Sequence, residues 1–179
     1  MYNNEKAKEN RAYTIWVTYT MGLTIVMLVF IAAVTIYVDP LFHYHAPLDN
    51  FTYIMDNERY QNDGITRNFE YDSIITGTSM TENFKTSEAD KIYDANFIKV
   101  PYAGGSYKEV NDNIIHAYEE GKNIKYVIRS LDFALLIMDK DAWDWKFHPT
   151  YLYDSNLFND VNYVLNKSIF LEKVCGGGN

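Results

Sequence analysis

Apolar positions along this chain form one long block followed by three short ones. The block, Ala12 to Val38, reads AYTIWVTYTMGLTIVMLVFIAAVTIYV, 27 consecutive residues without a charged side chain. At about 1.5 Å per residue, such a helix reaches roughly 40 Å, enough to cross a bilayer core of about 30 Å with some tilt. Tyr13, Trp16 and Tyr19 mark one end, and Tyr37, Phe42 and Tyr44 the other; aromatic rings favour the two membrane interfaces. Lys6, Lys8 and Arg11 precede the block and Asp39-Pro40 follow it. The positive-inside rule then predicts a cytoplasmic N-terminus, with everything after Asp39 extracytoplasmic. A core helix seldom needs so long an uncharged run. A cleaved signal peptide has a shorter apolar region, about 7–15 residues, and a small-residue cleavage site; no A-x-A pattern precedes Asp39. The block is read as an uncleaved single-pass anchor in the cell membrane.

The short blocks begin at Tyr71. YDSIITG, NFIKVPY and IKYVIRSLD each predict a strand, and the stretches between them predict helices. In SYKEVNDNIIHAYEEG, Val110, Ile114, Ile115 and Tyr118 fall on one stripe, and Gly121 is a natural stop. Strand, helix, strand, helix, strand in short units predicts parallel pairing. SNLFNDVNYVLNKSIFLEKV reads as helical, whereas residues 39–70 show no clear periodicity and read as an irregular juxtamembrane segment. The organisation predicted is a cytoplasmic tail at 1–11, a transmembrane helix at 12–38, a juxtamembrane segment at 39–70 and an α/β domain at 71–179. The expected fold is α/β: an N-terminal transmembrane helix, then a partial three-layer, flavodoxin-like domain with a parallel sheet.

Charge and composition narrow the function classes. A formal charge of -8 argues against nucleic acid as a partner, because phosphate binding needs a basic face. One cysteine, Cys175, excludes an intramolecular disulfide and any multi-cysteine metal site. His43 and His45 have the spacing of two strand residues on one face, but no further cluster completes a zinc site, so packing or interface roles are expected. No P-loop and no G-x-G-x-x-G turn is present, and no cofactor or metal is expected.

In an open parallel sheet, ligands sit beyond the carboxyl ends of the strands. Three clusters fall there: Gly77-Thr78-Ser79, Ala103-Gly104-Gly105-Ser106 and Ser130-Leu131-Asp132. A serine hydroxyl needs a base to become a nucleophile and donors to hold the developing oxyanion. Ser79 can point its hydroxyl out of the sheet edge, and Gly104 and Gly105 allow close backbone approach.

IITGTSMTENF resembles the first block of the SGNH (GDSL-like) hydrolase superfamily, whose G-D-S after the first strand holds the nucleophile. VPYAGGSY resembles the second block, whose glycine contributes an oxyanion N–H, and VIRSLD falls where the third, usually G-x-N-D, belongs. The chain also looks like membrane-anchored, extracytoplasmic SGNH-like proteins of Gram-positive bacteria, which are similar to the acyl-transfer proteins that esterify envelope polymers. The resemblance implies Ser79 as catalytic nucleophile and Ser79, Gly104 and Gly105 as oxyanion donors. Asp132 would be a third-block residue, and the partners would be an envelope glycan or an acyl donor, together with the bilayer. Two positions depart from the pattern. Thr78 replaces the family's Asp, and Asp132 or Ser130 replaces an Asn, although an ionised Asp cannot donate a hydrogen bond. The family's D-x-x-H base is not matched around His148, and His116 falls on a predicted helix beside the core stripe. The domain is therefore expected to be truncated, with CGGGN an odd terminus.

Each site residue also has a plainer reading. Ser79-Met80-Thr81-Glu82 fits a capping box. Gly104-Gly105 fits a turn before a helix, and Asp132 fits a strand-end carboxylate capping a turn. Trp143, Trp145 and Tyr151 form either core or a sugar-stacking platform. Two functions follow: a serine-dependent acyl esterase or O-acyltransferase acting on an envelope polysaccharide, or a non-catalytic membrane-tethered scaffold that keeps the fold.

Overall fold

The computed structural model describes residues 2–137, 139–140, 148–154 and 156–176. The apolar block belongs to one continuous helix, α1 (Tyr2–Val38). Its stretch Asn10–Val38 is long and apolar enough to cross a membrane. From Tyr13 to Phe30 nearly all the apolar side chains are exposed, from 42% at Leu28 to 77% at Tyr19, which in water would leave a large part of the chain's apolar surface unburied.

After α1 come α2 (Glu58–Asn68), β1 (Ser73–Gly77), a 3-10 turn (Ser79–Asn83), α3 (Thr86–Tyr93), β2 (Phe97–Pro101), α4 (Tyr107–Glu119), β3 (Tyr126–Arg129) and α5 (Phe133–Ile137). A second 3-10 turn (Thr150–Leu152), α6 (Val161–Val164) and a π-helical turn (Ile169–Val174) follow. The continuous helix expected over residues 155–174 is thus broken into short turns. The three strands form a parallel sheet in the order β2-β1-β3, with Ser73 opposite both Phe97 and Tyr126. Parallel order follows from the helix in each connection, as the sequence predicts.

Strand alternation sends neighbouring side chains to opposite faces. Ile74, Ile98 and Val100 pack with Ile65 of α2 and Ala117 of α4. Ile75 and Phe97 pack with Ala89 of α3. A third cluster of Leu41, Leu152, Tyr163, Val164 and Ile169 closes around the end of α1 at Ala32. Tyr151 packs against that cluster and so serves the core; Trp143 and Trp145 fall outside the described residues.

The juxtamembrane segment is not irregular throughout, because it contains α2. That helix buries Gln61, Asn62, Asp63 and Thr66, so its inner face carries no apolar stripe. Its polar groups are paired: Gln61 donates to the Pro40 and Ile54 carbonyls, Asn62 to Pro101, and Asn113 of α4 to Thr66. The same partners turn α4. Glu109, Val110, Asn113 and Ala117 face inward, while Ile115 and Tyr118 of the expected stripe are exposed. Arg59, Asp63 and Thr66 on α2 draw the polar side of α4 toward them, since buried donors and acceptors must be paired.

Gly64 lets α2 approach the chain that follows α1. A Cβ there would come within 2.5 Å of the Leu41 carbonyl oxygen and as close to that of Phe42. Backbone atoms cannot swing aside, so Gly64→Ala is expected to cost about 1–3 kcal/mol as overpacking, read as a lowered chemical-denaturation midpoint.

Candidate functional site at the carboxyl ends of the strands

The chain runs from β1 outward to β2, then crosses back past β1 to β3. Open α/β sheets accept ligands at such a reversal, beyond the carboxyl ends of the strands, here those of β1 and β3. Gly77 closes β1 with φ +145°, and a Cβ on it would collide with Ser130 beyond β3. Glycine therefore lets the two strand ends meet. The Thr78 N–H donates to Ser130 Oγ at 3.2 Å, Ser130 Oγ donates to Asp132 Oδ2 at 3.3 Å, and the Thr78 hydroxyl donates to the same carboxylate. The first and third of the three clusters thus converge.

Ser79 is not a helix cap. It is the first residue of the 3-10 turn, and the flanking Thr78 is extended and makes no side-chain capping bond. Thr81, not Ser79, donates its hydroxyl back to the Thr78 carbonyl, at 2.7 Å. Ser79 is exposed, and its hydroxyl has no hydrogen-bond partner among the described residues. As the first residue of the turn, its N–H has no acceptor within the turn.

The capping box is at Ser106 instead. Its hydroxyl accepts from the Glu109 N–H at 3.2 Å and its N–H donates to Glu109 Oε2 at 3.0 Å. Ser106→Ala is expected to cost about 0.5–2 kcal/mol, seen as a lower thermal midpoint. In the second cluster the Gly105 N–H closes a turn onto the Tyr102 carbonyl at 2.7 Å. That bond engages the proton that Gly105 was expected to offer an oxyanion. Gly104 is exposed, with φ +61°. Asp132, expected as a turn cap or as a third-block residue, accepts from the Thr78 and Ser130 hydroxyls, tying the end of β1 to the segment after β3.

A polar groove of about 580 Å³ borders the same turn, lined by Asp56, Glu58, Arg59, Tyr60, Glu82 and Ala103. Burial and the neighbouring Glu82 carboxyl push Glu58 above its ordinary range, against the lowering effect of the Ala103 N–H, which donates to it at 2.6 Å.

The histidines are engaged elsewhere. His116 meets Asp63 at 3.1 Å, and that bond raises its pKa against the opposing effect of burial. His148 is 3.7 Å from Glu109 and packs on Tyr153. His43 is buried 3.5 Å from Asp160, while the His45 ring contacts the Ala46 and Ile36 carbonyls. The two therefore pack against different partners. Among the described residues no group of three or more His, Cys, Asp or Glu is placed to hold a metal.

Sequence reasoning missed the layer of Arg59, Asp63, Glu109 and Asn113 beneath the site. The only signal for it is the even spacing of polar residues in ERYQNDGITRN, a pattern that an exposed helix shares. Comparison with protein families, with characterised proteins and with solved structures returns no match to this chain.

Proposed function

We propose that this chain is a membrane-anchored, extracytoplasmic serine acyl esterase or O-acyltransferase of the SGNH-like kind, acting on an envelope polysaccharide. The carrying observation is the exposed Ser79 hydroxyl, free of any capping bond, just beyond the carboxyl end of β1 where the sheet reverses. The polar groove that reaches the same 3-10 turn at Glu82 offers carboxylates and the Arg59 guanidinium, groups that can hydrogen-bond a hydroxyl-rich polymer. In the proposed step Ser79 Oγ attacks the acyl carbonyl and its proton passes to a base. The Ser79 and Gly104 N–H groups receive the oxyanion. The alcohol leaves with the proton, and water or a glycan hydroxyl then takes the acyl group from the serine. Neither His116 nor His148 is assigned as the base, since each faces a carboxylate of the α2–α4 layer.

The scaffold reading draws on two observations: the Gly105 proton is engaged by Tyr102, and the Asp132 carboxylate is engaged by Thr78 and Ser130. A fluorophosphonate probe separates the two. Labelling of the intact membrane protein that disappears in Ser79→Ala supports the enzyme; equal, absent labelling of both supports the scaffold.

A further inference from the structure

The apolar block is longer than a bilayer needs, and the structure shows where the surplus goes. Ala12 to Val38 reaches roughly 40 Å against a hydrocarbon core of about 30 Å. The excess of roughly 10 Å is about seven residues. Over the last two turns one side of α1 is covered: Ile31, Ala32 and Val34 are half-buried, and Thr35 and Val38 are buried at 0% and 3% exposure, while Ala33, Ile36 and Tyr37 stay exposed. Alignment of the bare part with the bilayer puts the membrane surface near Ala32.

The elements packed on α1 at that level are α6 and the π-helical turn. The junction is clamped. Asp39, wholly buried, accepts from the Tyr163 hydroxyl at 2.6 Å and from the N–H groups of His43, Tyr44 and His45. Tyr44 in turn donates to Asp160 at 3.0 Å. These bonds hold α6 against the emerging helix, so the domain cannot swing away on a loose tether. Yet this segment turns Leu157 (76% exposed), Phe158 (94%), Val161 and Leu171 outward. Two adjacent large apolar side chains so fully exposed are out of place in water. At the hydrocarbon–headgroup boundary they are favourable.

We propose that residues 157–171 form a lipid-contacting collar. Leu157, Phe158 and Val161 enter the interface of the leaflet from which the domain emerges, and the carboxyl ends of the strands are held at a set height above the membrane. The inference rests on α1 crossing the bilayer.

The test uses the full chain in phosphatidylcholine vesicles, with a Cys175→Ser background and an environment-sensitive fluorophore on single cysteines. Phe158→Cys reports the collar, Thr24→Cys the span, and Tyr118→Cys an exposed site on α4. Phe158 has almost no protein contact to lose, so its replacement does not threaten folding. Labels at 24 and 158 are expected to be quenched by nitroxide lipids several-fold more than the label at 118, and aqueous iodide to quench chiefly 118. A label at 158 as accessible to iodide as that at 118, with 24 still lipid-quenched, overturns the collar and leaves the span intact. Loss of lipid quenching at 24 overturns both. Ready disulfide pairing between two Phe158→Cys chains, without lipid quenching, assigns the face to a second copy instead.

Discussion

On the proposed function, Ser79→Ala in the full-length protein is expected to remove aryl acetate turnover by several powers of ten, while leaving stability within about 0.5 kcal/mol. The two expectations are separable because the structure takes the cap away from Ser79. An N-cap serine would cost about 0.5–2 kcal/mol on truncation, and Ser106→Ala supplies that comparison in the same chain. Ser79→Asn extends the test, since a short polar side chain in its place cannot form an acyl-enzyme. Unfolding curves and initial rates would be measured for wild type and all three variants. Turnover that persists in Ser79→Asn places the chemistry elsewhere. No turnover in any of the proteins, together with no probe labelling, favours the scaffold.

Arg59→Leu is expected to destabilise the domain by about 3 kcal/mol, the low end for breaking a buried ion pair, because the Ser106 N–H and His148 stay with Glu109. That is a large part of the roughly 5–15 kcal/mol that keeps a domain folded. Arg59 forks onto Glu109, with Nε to Oε1 at 2.7 Å and Nη2 to Oε2 at 3.1 Å. It also donates to the Ala103 carbonyl. Burial alone would raise the Glu109 pKa, but the bonds to His148, Arg59 and the Ser106 N–H outweigh it and hold the carboxyl at about 2, against 4.5 when free. The sign follows. Between those values the unfolded chain binds the proton and the folded chain does not, so Glu109 contributes stability above about pH 4.5 that fades as pH falls toward about 2. Without the guanidinium the folded carboxyl titrates at higher pH, and the acid-side loss of stability should begin earlier. Denaturant midpoints by circular dichroism in detergent, from pH 7 to pH 3, would show both effects. Arg59→Leu with Glu109→Leu should cost less than the sum of the two, because neither charge is then left unpaired. A strictly additive double variant would show that the pair is not coupled.

The legible part of the site was its backbone. Gly77-Thr78-Ser79 follows an apolar run that had to be a buried strand, and parallel order then put all three clusters at one sheet edge. What that edge does with its protons was not legible. The capping-box spacing occurs at both Ser79-Glu82 and Ser106-Glu109. Only the second has Arg59 beneath its glutamate, and only the second caps a helix of more than one turn. Gly104 and Gly105 are equivalent in sequence, yet Tyr102 takes the proton of one of them.

Uncharged length and side-chain period are properties of the chain itself, so the sequence determined by itself the long apolar helix, the three strands and their parallel order. A helix must bury its apolar stripe and a strand its apolar face wherever the rest of the chain folds. Tertiary structure decided whatever depends on a partner far along the chain. It made a helix of ERYQNDGITRN by supplying Pro40, Ile54, Pro101, Glu109 and Asn113 to its buried polar groups. It rotated α4 toward them, and it docked residues 31–38 of α1 onto α6 through Asp39 and Tyr163. Polar side chains carry no periodic preference for the interior. They enter it only where a distant donor or acceptor replaces water, and no local stretch of sequence records which one that is.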